Sequence, residues 1–141
     1  MTTTMVVVAR NGHPLAGVKS LRQLADSNWV YTGASTDSGY AKILFESRGL
    51  PAPNVGAVVN STLALLSLVA TGDYIGLMPQ QIAEQPLAKQ FLTVVPVTEG
   101  GLELTVAAIV RRESEVLPTI RHFIAHLHRA AFHVTKEAGR R

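Results

Sequence analysis

Apolar residues in this chain occur in short runs that alternate with segments of helical spacing. Runs rich in β-branched and aromatic residues predict strands at Met5–Ala9, Trp29–Tyr31, Val55–Val59 and Tyr74–Met78, and the first and last of these are expected to be buried. Polar turns and helical patterns separate these runs, and they predict helices at Ser20–Ala25, Tyr40–Arg48 and Ser61–Thr71. Strands that alternate with helices favour an α/β fold with a doubly wound, mainly parallel sheet.

The stretch 60–79 is the clearest helix–turn–strand unit of the chain. Asn60 or Ser61 can cap its helix, because a side-chain oxygen there accepts a hydrogen bond from a free N–H of the first turn. Gly72 lies where a left-handed residue would end the helix. Pro79 cannot donate to a sheet ladder and therefore ends the strand. Because the helix is apolar on nearly every face, we expect it to be buried.

The part of the chain after Pro79 has fewer partners with which to build a sheet. Its predicted elements are a helical turn at Gln80–Glu84, an irregular stretch at Pro86–Gln90, strands at Phe91–Val97 and Leu102–Val110, and a helix at Pro118–Val134. Unpaired strand edges attract another chain. The sequence therefore predicts a homodimer or a higher homo-oligomer.

Composition narrows the class of protein. The chain has 141 residues, of which 47% are hydrophobic and 16% charged, as in a folded domain. The absence of cysteine excludes a disulfide framework and a thiolate metal site. We expect a cytoplasmic protein without a membrane partner, because no apolar run has transmembrane length and Met1–Thr4 lacks a basic signal region. Much of the net charge of +3 lies in the tail 136–141, which predicts a solvated tail.

Two polar loops follow two of the predicted strands. One covers Thr32–Gly39 and the other Asn60–Thr62, and both open helices. In a parallel α/β sheet, ligands bind beyond the carboxyl ends of the strands. Helix N-termini there favour an anion. Capping alone explains each of these polar residues singly, but two such loops favour binding of a small anion. The predicted effector-binding residues are Thr32, Ser35, Thr36, Ser38, Asn60, Ser61 and Thr62.

Other candidate chemistry is weak. His122 and His126 are spaced as two helical metal ligands, but no third ligand lies near them in the sequence, so a solvated helix face is predicted. The chain has no G-x-S-x-G motif and no phosphate-cradling glycine loop. We therefore predict no catalytic residues, no metal and no cofactor.

Several segments together resemble LysR-type transcriptional regulators. The residues that carry the resemblance are Val6–Ala16 with Ser20, Leu21 and Leu24, then Ala64–Pro79, then Val94–Val97, Ile109–Arg112, Leu117–Pro118 and Phe123–Ile124. They match the start of the second effector subdomain, its helix–turn–strand, and the return strands and closing helix. The resemblance covers most of residues 5–134. One departure is Asp73-Tyr74, where the family pattern has Leu-Gly.

The resemblance implies part of a fold like that of type 2 periplasmic binding proteins. Residues 1–92 would be a complete second subdomain, 93–135 the closing strands and helix of a partial first subdomain, and 136–141 a basic tail. The winged helix-turn-helix of the family is missing, so DNA would be contacted only through a missing N-terminal domain. The implied function is effector sensing without catalysis, in which a bound effector favours one arrangement of a dimer.

Two other functions stay open. One is a small α/β enzyme, or an enzyme subunit, with its active site at the Thr32–Ser38 loop, where Asp37 would be the general base. The other is a solute-binding protein, which the lack of a signal peptide disfavours.

Overall fold

A computed structural model describes residues 1–33, 35, 39–110 and 117–138. The described residues form the strands β1 Thr2–Arg10, β2 Asn28–Thr32, β3 Val55–Val59, β4 Tyr74–Pro79, β5 Leu92–Val94 and β6 Leu102–Thr105. They form the helices α1 Tyr40–Ser47, α2 Thr62–Thr71, α3 Gln80–Ala83, α4 Pro86–Lys89 and α5 Pro118–Ala138, with a 3-10 turn at Leu21–Leu24.

The strands form one sheet in the order β3-β2-β4-β1-β5, and β6 pairs with β1. Strand β2 runs parallel to β3 and to β4. Strand β1 is antiparallel to β4 and to β5. The prediction that the first four strands share one mainly parallel sheet is confirmed, with β1 as the reversed strand.

The chain divides into two units. One unit is Thr4–Glu103, which contains α1 to α4 and most of the sheet. The other consists of Met1–Thr3 with Leu104–Arg141, and α5 lies in it. The predicted boundaries after residues 92 and 135 stay predictions.

Buried aromatic residues anchor β2 in the unit Thr4–Glu103. The indole Nε1 of Trp29 donates to the carbonyl oxygen of Leu24 at 2.9 Å. The ring of Trp29 meets Phe45 of α1 edge to face, with 5.3 Å between centroids. The hydroxyl of Tyr31 donates to the carbonyl oxygen of Pro53 at 3.2 Å. Each polar atom of these rings is therefore satisfied while the ring packs in the core.

Helix α2 differs from the prediction at its end and on its surface. Ser61 is its N-cap, as predicted, and accepts from the backbone N of Ala64 at 3.5 Å. The prediction of a left-handed Gly72 is wrong, because its φ is −127°. The ring of Tyr74 packs there, and an added Cβ would lie 2.8 Å from its Cδ2. The helix is also not buried on every face, since Leu63 is 71% exposed.

The elements after residue 84 are shorter or more regular than predicted. The stretch predicted as irregular contains the helical turn α4, which begins with Pro86, a residue suited to a first helical position. The backbone N of Val95 donates to the carbonyl oxygen of Val7 in β1 at 2.9 Å. Strand β5 is short because the next residue, Pro96, has no N–H with which to continue the pairing. The predicted strand 102–110 is regular only over β6. Helix α5 begins at Pro118 as predicted.

The contact between Trp29 and Phe45 predicts a large stability effect. The variant Phe45→Ala should lower the free energy of unfolding by about 3–5 kcal/mol, because it leaves a cavity in a fully buried site. The control Ile43→Ala, on the same helix at a side chain that is 43% exposed, should cost less than about 1 kcal/mol. Urea unfolding measures both, and equal losses would contradict this assignment of the core.

Candidate functional site

The two polar loops leave the same end of the sheet. Thr32 lies opposite Val59 in the parallel register of β2 and β3. The backbone N of Gly33 donates to the carbonyl oxygen of Val59 at 3.0 Å, one residue before Asn60. The carboxyl ends of β2 and β3 therefore form one edge, called the exit edge below.

The exit edge contains most of the predicted binding residues that the structure describes. Thr32 is half-buried at the end of β2, and Ser35 is exposed in the following loop. Asn60, Ser61 and Thr62 are exposed at the start of α2. Thr36 and Ser38 lie outside the described residues. That any of these side chains contacts an effector stays a prediction.

The starts of two helices adjoin the exit edge. Helix α2 starts directly after Asn60 and Ser61, and α1 starts at Tyr40, with Gly39 as its N-cap. Gly39 packs against the ring of Tyr31, so that a side chain there would overlap the ring. First-turn N–H groups of both helices supply partial positive charge.

Burial also raises the pKa of Tyr31, and the charge of Glu46 adds to the rise, so this phenol stays neutral at physiological pH.

A third strand end also brings a polar residue to the exit edge, and it was not predicted from the sequence. Strand β4 runs parallel to β2, so its carboxyl end lies at the same edge, and Gln80 follows it directly. The amide Nε2 of Gln80 donates to Oε1 of Glu84 at 2.7 Å. The signal was available, because Gln80 directly follows a strand of apolar residues, as Asn60 does.

The opposite edge of the sheet carries an ion pair. Arg10 ends β1, and its Nε and NH2 atoms donate to Oδ1 of Asp73 at 3.0 and 2.6 Å. These hydrogen bonds and the charge of Arg10 hold the pKa of Asp73 below its usual value. Asp73 is where the sequence departs from the pattern Leu-Gly, and the ion pair gives the departure a structural role.

A second polar cluster lies at the turn before β6, and sequence reasoning missed it too. The carboxylate of Glu99 accepts from Ser20 Oγ at 2.7 Å and from the backbone N of Leu21 at 3.0 Å. Arg48, the C-cap of α1, donates from Nε to the carbonyl oxygen of Glu99 at 3.0 Å. Arg48 and Glu99 are 51 positions apart in the sequence, and Ser20 and Glu99 are 79 positions apart. No local pattern could have joined them.

Metal ligation has little support in the described part of the chain. Within it, no group of three or more His, Asp or Glu side chains is placed to hold a metal ion. His122 and His126 are exposed on α5. Among the described helices, none has both the length and the apolar character required to cross a membrane.

Comparison with known families decides the class. The family model of the LysR substrate binding domain matches residues 1–131. The chain belongs to this family. The predicted resemblance to LysR-type transcriptional regulators is thereby confirmed, as is the expected effector-binding domain.

Solved structures of LysR regulators share the fold. The C-terminal domain of a probable LysR family regulator from Rhodococcus sp. RHA1 is 23% identical, with a TM-score of 0.69, and the match covers 91% of this chain and 64% of that chain. The regulatory domain of CcmR from Synechocystis PCC6803, in complex with 2-PG, is 22% identical, with a TM-score of 0.66 and coverage of 90% and 62%. The effector-binding domain of QuiR, in complex with shikimate, is 22% identical, with a TM-score of 0.55 and coverage of 79% and 56%.

These structures support a type 2 periplasmic-binding-protein-like LysR fold for the part that matches. The chain spans 56–64% of the length of these three solved chains.

The surroundings of Glu99 predict an acid-dependent stability. Desolvation raises the pKa of Glu99, but hydrogen bonds from Ser20, its own backbone, Leu21 and Thr98 together lower it. A lowered pKa in the folded state means that the stabilisation is present above the unfolded pKa and is lost as the pH falls through the folded value.

The variant Glu99→Gln should therefore be less stable than the wild type at pH 7, and this difference should shrink as the pH falls through the lowered folded-state pKa of Glu99. Urea unfolding at a series of pH values measures it. The control Glu103→Gln, at an exposed side chain of β6, should keep the wild-type profile. A difference for Glu99→Gln that stays constant with pH would contradict the role of this carboxylate.

Proposed function

We propose that this chain binds a small anionic effector at the exit edge, as the effector-binding part of a LysR-type transcriptional regulator. The observation that carries the proposal is the parallel pairing of Thr32 with Val59. It brings a hydroxyl-rich loop, an amide side chain and the N-terminus of α2 to one edge of the sheet. Hydroxyl, amide and free N–H groups are donors that suit a carboxylate or a phosphate.

The ligands of related structures support an anion. CcmR was solved with 2-PG (2-phosphoglycolate), and QuiR with shikimate. The first ligand carries a phosphate and a carboxylate, and the second carries a carboxylate. The acidic side chain of Asp73 lies at the opposite edge, paired with Arg10, and would not repel an anion at close range.

The proposed site keeps the full predicted set. Its residues are Thr32, Ser35, Thr36, Ser38, Asn60, Ser61 and Thr62. Ser61 also caps α2, so its hydroxyl has a structural role that a ligand would share. Gln80 extends the edge on the side of β4.

The proposed mechanism is a shift of population without catalysis. An effector that contacts one conformation better than another shifts the equilibrium by that difference in affinity. We place the contact with DNA in a domain outside residues 1–141, and we place the protein in the cytoplasm. The enzyme alternative rests on Asp37, which lies outside the described residues, and membership of a regulator family favours sensing.

We also propose that a second copy of the chain is a partner. Helix α5 exposes Ile120, Phe123 and Leu127 at helical spacing, and Phe123 is 61% exposed. Separately, β3 is an edge strand with Val55 and Val58 exposed. Exposed apolar stripes and unpaired strand edges both favour association.

Binding measurements with single variants test the site. Calorimetric titration of the wild type with 2-phosphoglycolate, shikimate and inorganic phosphate should show saturable binding of at least one of them. Asn60→Ala should weaken it about tenfold or more, because a hydrogen bond to a charged group contributes about 1.5–3 kcal/mol.

The control Ser67→Ala, at an exposed serine later in α2, should leave the affinity unchanged. Equal effects of the two variants, or no saturable binding of any of the three anions, would overturn the proposed site.

Sedimentation at micromolar concentration tests the association. The wild type should sediment as a dimer or a larger species. Phe123→Asp should shift it toward the monomer, because association would then bury a charge in place of an apolar ring. Ala125→Asp, at an exposed position of the same helix, is the matched control and should keep the wild-type state. A monomeric wild type would refute the homo-oligomer.

A further inference from the structure

We propose that Arg48 is a positioning residue that makes the pairing of β6 depend on the location of helix α1. The relevance of this dependence to signalling rests on the proposed function, because α1 begins beside the exit edge. The contacts themselves involve the turn 98–101, called the Glu99 turn below.

The Glu99 turn is held on one side by the segment before the 3-10 turn. The backbone N and Oγ1 of Thr98 donate to the carbonyl oxygen of Lys19 at 2.8 and 2.9 Å. The Glu99 carboxylate accepts from Ser20 and Leu21. Gly101 lies against the carbonyl oxygen of Met5, where a side chain would overlap it. The turn thus has little room to move toward β1.

Helix α1 also holds the turn, through the side chain of its C-cap residue Arg48. Arg48 donates from Nε to the carbonyl oxygen of Glu99 at 3.0 Å and from NH2 to that of Gly101 at 3.4 Å. A guanidinium is planar and donates along fixed directions, so these two bonds set an orientation as well as a distance. Gly101 immediately precedes β6.

The two ends of α1 therefore contact different parts of the unit. Its first turn follows the loop that begins at Thr32, and its C-cap holds the Glu99 turn. An eight-residue helix moves nearly as a rod of about 12 Å. A ligand that displaces its first turn would displace Arg48 with it. The displacement would reach β6 shortly before the chain leaves the unit Thr4–Glu103.

A purely stabilising role of Arg48 and a positioning role lead to different expected results. If the side chain only adds stability, its loss weakens the whole unit without changing how α1 and β6 respond to each other. If it positions the turn, its loss uncouples β6 from α1. A thermodynamic cycle separates the two cases.

Native-state amide hydrogen exchange on the full chain provides that cycle. Lys42→Gly perturbs α1, because glycine in a helix interior raises the opening equilibrium by roughly three- to fivefold. With Arg48 present, the β6 amides should exchange faster by about the same factor, while the exchange rate of the Leu77 amide in β4 should not change. With Arg48→Gln, Lys42→Gly should still accelerate the α1 amides but leave the β6 amides unaffected.

Two further variants complete the design. Arg48→Lys keeps the charge but loses the planar pair of donors, so it should uncouple β6 as Arg48→Gln does. The control Arg22→Gln, at an exposed arginine of the 3-10 turn, should retain the coupling.

The proposal is overturned if Lys42→Gly leaves β6 unchanged with Arg48 present, or if it accelerates β6 equally with Arg48→Gln. It is also overturned if Leu77 accelerates as much as β6, which would indicate global opening. The cycle uses no ligand. A failed anion titration with an intact cycle would overturn the proposed function alone, and a failed cycle would leave the binding site standing.

Discussion

Strand β2 runs parallel to both of its neighbours, β3 on one side and β4 on the other. Its residues Trp29, Val30 and Tyr31 are each at most 1% exposed, so it is covered on both faces. Because the three strands run the same way, their carboxyl ends meet at one edge of the sheet. Had β3 been reversed, Asn60 and Thr32 would lie at opposite ends, and no single ligand could contact both loops.

The same constraint separates the polar chemistry of the two edges. The exit edge has hydroxyl and amide side chains and the first turns of helices. The opposite edge has the ion pair of Arg10 and Asp73, at the end of β1 and just before β4. A carboxylate among the donors of the exit edge would compete with an anionic ligand. Asp73 lies away from that edge, whereas the Glu84 carboxylate already accepts from the amide of Gln80 at the β4 side of it.

Local patterns in the sequence predicted the features that depend on neighbouring residues. The apolar runs identified β1 to β4, and Ser61 was recognised as the cap of α2, because these signals require no distant partner. Features set by tertiary contacts could not be read in this way. Gly72 is extended because the ring of Tyr74 packs on it, β1 is reversed, and Pro96 shortens β5. Arg48 and Glu99 meet only in the folded chain.

Nuclear magnetic resonance can show whether the parallel exit edge binds an anion. In a titration of ¹⁵N-labelled protein with 2-phosphoglycolate, shikimate and phosphate, we expect the largest amide shifts at Gly33, Ser61 and the first turn of α2. Residues of the opposite edge, such as Asn28, Asn54 and Asp73, should shift little. Shifts concentrated at Arg10 and Asp73, or at α5, would contradict binding at the exit edge.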